Sequence, residues 1–83
     1  MHETHLLKHI FRYLEGQEEL SQKKIKKITF TLSEFGGISK EHFLSHYHQE
    51  SQGTAWESTE IEIKRTPCGP ELEITRLEFA PKP

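Results

Sequence analysis

The hydrophobic period of this chain switches from helical to extended and back again, and that switching constrains the fold more than any single motif does. Over residues 4 to about 19, Leu6, Leu7, Ile10, Phe11, Tyr13 and Leu14 recur at the i, i+3/i+4, i+7 spacing of an amphipathic helix. Gly16 and the polar residues after it predict that this helix ends or frays there, with the basic run "KKIKK" leading into a strand. Over residues 28–33 the period falls to two: Ile28, Phe30 and Leu32 alternate with Thr29, Thr31 and Ser33. The Gly36-Gly37 pair breaks that strand. Ser39 suits the N-cap of a second helix, and Ile38 and Phe43 occupy hydrophobic-staple positions around it. This helix runs to about residue 50, and its narrow stripe of Phe43, Leu44 and Tyr47 predicts that it covers a sheet rather than joining a bundle.

"SQGTAWESTE" reads as a loop whose one large aromatic, Trp56, folds back onto the edge of the core. "IEIKR" and "ELEITRLEF" read as two further strands joined by the turn "TPCGP" at residues 66–70. In the last strand the apolar parity moves from Leu72 and Ile74 to Leu77 and Phe79, which predicts a bulge near Thr75-Arg76. The order αβαββ predicts an α+β fold with two helices packed on one face of a three-stranded mixed sheet. Strand one, helix two and strand two would make a right-handed crossover, and strands two and three a hairpin. Thr29, Thr31, Glu60, Glu62, Lys64, Glu71 and Glu73 would decorate the other face.

Eighty-three residues suffice for one two-layer core, so residues 1–83 are read as a single domain. Eleven Lys and Arg against thirteen Asp and Glu give a formal charge of -2, which leaves no basic field to recruit nucleic acid or an anionic membrane. One cysteine, Cys68, excludes an internal disulfide and a CxxC zinc cage, and it fits a reducing compartment such as the cytoplasm. No stretch has the length or apolarity of a signal peptide or a membrane span. The chain has no aspartate for a Ser-His-Asp triad and no Gly-rich phosphate loop, so an enzyme is not expected.

Six histidines offer metal chemistry. His5/His9 and His42/His46 stand at i, i+4, a spacing that can chelate one ion and that equally suits solvated or packing side chains. His2 differs because it adjoins a terminal amine, and its bulk predicts that Met1 is kept. The Met1 amine, the His2 backbone amide and the His2 imidazole would supply three nitrogens in one plane through fused chelate rings. Glu3 can add a carboxylate or a further backbone nitrogen. Ni(II) and Cu(II) accept that geometry, whereas Zn(II) prefers a tetrahedron.

The start "MHE", the strand "ITFTLSEFGGIS", the helix "KEHFLSHYHQES", then "GTAWESTEIEI" and "GPELEITRLEF" together resemble the HypA/HybF family of hydrogenase and urease nickel-incorporation proteins. The resemblance implies a metallochaperone that holds Ni(II) through Met1, His2 and Glu3. It also implies partners among the maturation proteins, namely a GTPase and an enzyme precursor. Family members carry a zinc domain with two CxxC pairs between what are here strands two and three, and this chain has only the short turn at 66–70, so no structural zinc is expected. Where the family often places an acidic residue at the start of helix two, this chain has Ser39-Lys40. The expectation is a nickel-binding accessory protein, monomeric or homodimeric; the alternative is a HypA-like scaffold that serves as a protein-interaction module without metal delivery.

Overall fold

The strand of strongest apolar alternation sits in the middle of the sheet. The computed structural model describes residues 3–81, with side chains from residue 6 onward, and orders them as α1 (Glu3–Ser21), β1 (Ile25–Ser33), α2 (Lys40–Ser51), β2 (Glu60–Thr66) and β3 (Leu72–Phe79). The sheet runs β2-β1-β3, with β1 parallel to β2 and antiparallel to β3. Two helices and a three-stranded mixed sheet in this order make the α+β fold that the periodicity predicts.

The register builds apolar rows across the inner face. Ile61, Ile28 and Leu77 form one row, and Ile63, Phe30 and Ile74 the next. Above them α1 contributes Leu7, Ile10 and Leu14 and α2 contributes Phe43 and Tyr47, all in one buried cluster with Trp56. Phe30 meets Phe43 edge-on at 4.9 Å between ring centres, a favoured aromatic geometry. Trp56 folds back as expected, and its ring stacks on Phe11 at 5.5 Å and 5°. The buried Tyr47 hydroxyl donates to the Trp56 carbonyl at 3.0 Å.

Four expectations are corrected. Helix α1 runs unbroken through Gly16 to Ser21, about two residues past the expected end near residue 19, and Gln22 then takes a left-handed φ of 56°. One glycine costs a helix about 1 kcal/mol, and Gln17, Glu18, Glu19 and Leu20 are good helix formers that offset it. The Glu18 carboxylate also accepts the Ile25 amide at 2.8 Å, tying this last turn to the start of β1. Strand β1 starts at Ile25, inside the basic run; Lys26 is an extra residue in the ladder, so Ile25 and Ile28 both face the core and the alternation is hidden. The bulge in β3 falls at Thr75, between Ile74 opposite Phe30 and Arg76 opposite Thr29, as its parity predicts.

Strands β2 and β3 do not form a hairpin. They flank β1, and residues 67–71 pass over its carboxyl end, a step of two strand spacings (about 10 Å) that five residues span easily. Hydrogen bonds fix the crossing: Glu34 N–H donates to the Thr66 carbonyl at 2.8 Å, and Ser33 N–H to the Glu71 carbonyl at 3.3 Å. Glu71 therefore leaves the open face, and its Oε1 instead accepts the Gly37 amide at 2.9 Å. A Cβ on Gly36 would stand 2.8 Å from Glu71 Cγ, so the glycine pair makes room for this tie as well as ending β1.

The open face is polar, and Lys27 is its hub. Its ammonium lies 2.8 Å from Glu62, 3.4 Å from Glu60 and 3.9 Å from Glu78, which joins all three strands. The hydrogen bond from Lys27 holds the Glu62 carboxyl below its ordinary range. Such depression stabilises the fold above the unfolded pKa and is lost as pH falls through the folded one. Glu62→Gln should therefore lower the urea midpoint at neutral pH, and the gap to the parent protein should close once the pH lies well below about 4.3, the ordinary glutamate value.

Burial pushes the Tyr47 phenol up to about 12 against the opposing hydrogen bond of Thr59. Between its ordinary value of 10.0 and about 12, the unfolded chain gives up a proton that the folded chain keeps, so stability falls with rising pH. Tyr47→Phe should cost about 1 kcal/mol at neutral pH through the lost hydrogen bond to the Trp56 carbonyl. It should also flatten the alkaline decline, as urea midpoints measured on both sides of pH 10 would register.

Candidate functional site

The expected nickel ligands precede or open the first helix. Met1 and His2 lie outside the described residues, and Glu3 is the first residue of α1, with its side chain, like that of His5, outside them as well. The described part shows how that helix is held. Leu7, Ile10 and Leu14 are buried along one side, and Phe11 stacks on Trp56, so α1 is fixed to the core from its second turn onward.

His9 is exposed and does not join the core. It stands on the rim of an apolar groove of about 320 Å³ between α1 and the free edge of β3, lined by Leu6, His9, Ile10, Tyr13, Leu72 and Ile74. The sequence holds a trace of this groove, because Leu6 and Tyr13 widen the apolar face of α1 beyond the stripe that one sheet can cover.

Helix α2 presents the other histidines. Its N-cap is Ser39, as expected: the side-chain oxygen accepts the His42 amide at 3.2 Å, and the hydroxyl reaches the Glu41 carboxylate at 3.2 Å. The Glu41 carboxyl lies below its ordinary range, chiefly because it accepts its own backbone N–H and next because of Ser39. Phe43 and Tyr47 are both 0% exposed and lock the helix to the sheet. His42 and His46 each come one residue earlier and so share the adjacent flank, with ring centres 6.5 Å apart. His48 lies round the helix, its ring edge-on to Tyr47 at 6.0 Å.

Among the described residues, no three of His, Cys, Asp and Glu converge where one ion would touch them all. Cys68 is exposed in the turn between β2 and β3. One buried polar atom has no partner among the described residues, the indole Nε1 of Trp56. Among them, too, no helix is long and apolar enough to cross a membrane. Periodicity signalled neither the Trp56 nitrogen nor the Lys27 cluster. Both arise from residues far apart in sequence that meet only when the elements pack.

No protein-family model matches the sequence, and no curated protein sequence matches it. Among solved structures, the solution structure of the Ni metallochaperone HypA from Helicobacter pylori is similar, with a TM-score of 0.81 over 99% of this chain and 100% of that one, at 14% sequence identity. At that identity the likeness establishes a HypA-like fold.

The cap at Ser39 governs how firmly the histidine helix begins. Ser39→Ala should lower the unfolding free energy by about 1 kcal/mol, read from urea denaturation, because the His42 amide loses its acceptor.

Proposed function

We propose that this chain is a non-enzymatic nickel-handling accessory protein that serves the maturation of a nickel enzyme such as a nickel-iron hydrogenase. The observation that carries the reading is the likeness in fold, along essentially the whole of both chains, to a nickel metallochaperone. The Met-His-Glu start supports it independently, since those residues offer the planar nitrogen set that Ni(II) accepts.

In this reading the metal is cargo. The Met1 amine, the His2 amide nitrogen and the His2 imidazole hold it, Glu3 supplies a further donor, and the αβαββ body is the surface that docks. Donors at a chain terminus can be displaced one at a time by incoming ligands, which suits hand-over better than a closed cage does. The receiving partners would be a GTPase and an enzyme precursor in the cytoplasm, met by a monomer or a homodimer. With one cysteine, the chain has no CxxC pairs to hold a structural zinc.

Nickel titration tests the reading. Protein with a free Met1 amine should bind one equivalent of Ni(II), and His2→Ala or a histidine-free extension of several residues ahead of Met1, long enough to carry the terminal amine out of reach of His2, should weaken that binding by at least about tenfold. Losing a direct ligand costs no less than the 10–100-fold known for losing a ligand's hydrogen-bond partner. Equal affinity in all three proteins would overturn the site and leave the scaffold as an interaction module.

A further inference from the structure

The i, i+4 pair on α2 is not needed by the reading above, and it draws on none of the residues that reading uses. Three observations bear on it. The helix that carries His42 and His46 is capped by Ser39 and pinned by two fully buried aromatics, so the two Cα positions are fixed relative to each other. Both imidazoles project from the same flank, with ring centres 6.5 Å apart and planes 37° from each other. His42 is exposed, so its ring can turn about its side-chain torsions without disturbing the core.

Two imidazoles on one metal ion bring their ring centres to about 5 Å in a tetrahedral or cis-planar arrangement, given metal–nitrogen distances of about 2.0–2.1 Å. The observed separation exceeds that by about 1–2 Å, a gap that one exposed side chain closes by rotating. Glu50 occupies the next i+4 position beyond His46, where its negative charge favours the approach of a cation. Lys40, Glu41, Tyr47 and His48 are the other ionisable groups of α2.

We infer that His42 and His46 form a two-point imidazole clamp for a divalent first-row transition metal ion, separate from the amino-terminal residues. Imidazole donors select Zn(II), Ni(II) and Cu(II) over the hard ions Mg(II) and Ca(II). Two protein ligands leave at least two coordination positions to water or to donors from another molecule. The clamp therefore holds its ion loosely and presents it at the surface of α2.

The test uses the full chain with a histidine-free extension of several residues ahead of Met1 in every arm, which carries the terminal amine out of chelating reach of His2. Zn(II) and Ni(II) are then titrated separately by calorimetry, with imidazole resonances followed by NMR. One equivalent should bind, the His42 and His46 signals should shift or broaden together while those of His48 and His9 stay in place, and the melting temperature should rise with metal concentration. His42→Ala should weaken binding by at least about tenfold and abolish the thermal shift. His48→Ala should leave both unchanged. His42 is exposed, so its variant tests the ligand without risk to the core, and a far-UV spectrum checks that it folds. Absence of binding in the extended parent, affinity unchanged in His42→Ala, or perturbation centred on other histidines would each overturn the clamp. Because no arm has a terminal amine beside His2, none of these results depends on the proposed nickel site.

Discussion

The whole arrangement hangs on the burial of Phe30. Its neighbours in the register are Ile63 on one side and Ile74 on the other, and Phe43 and Tyr47 close over it from α2. Helix α1 joins through Phe11, whose ring lies 5.7 Å from that of Tyr47. One fully buried side chain thus links both outer strands and the second helix directly, and the first helix at one remove. Truncating a residue so placed costs about 3–5 kcal/mol. That is a large share of the roughly 5–15 kcal/mol that holds a domain together, and small domains have the least to spare.

The central place of β1 has consequences at both ends of the sheet. At its carboxyl end the chain crosses from β2 to β3, so the Gly36-Gly37 turn, Thr66 and Glu71 meet there. On its polar face Lys27 gathers carboxylates from β2 and β3. Its position also leaves β3 as an edge strand, which opens the groove against α1. The bulge at Thr75 twists that edge, and charged side chains along it discourage unspecific strand pairing.

Much of this was legible in advance because period-two and period-3.6 patterns report which face a residue turns to the core. Ile28, Phe30 and Leu32, the Ser39 cap and the parity change around Thr75 all read correctly, since each is decided by residues close in sequence. The failures share a cause as well. Lys26 interrupts the alternation and so hides Ile25, and the short turn between β2 and β3 looks like a hairpin although it spans a third strand. For the candidate sites, the i, i+4 spacing placed His42 and His46 on one flank, whereas their exposure and their separation depended on how Phe43 and Tyr47 seat the helix.

The amino acid order determined by itself that this chain forms two amphipathic helices and three strands in the order αβαββ. Those properties follow from local torsional preference, side-chain periodicity and covalent proximity, all of which act over a few residues. Which strand lies in the centre, which carboxylates reach Lys27, and where a groove stays uncovered were decided only by tertiary structure. The physical reason is that strand pairing and core burial are settled by competition for one apolar surface, and the winner depends on the shape of the whole chain.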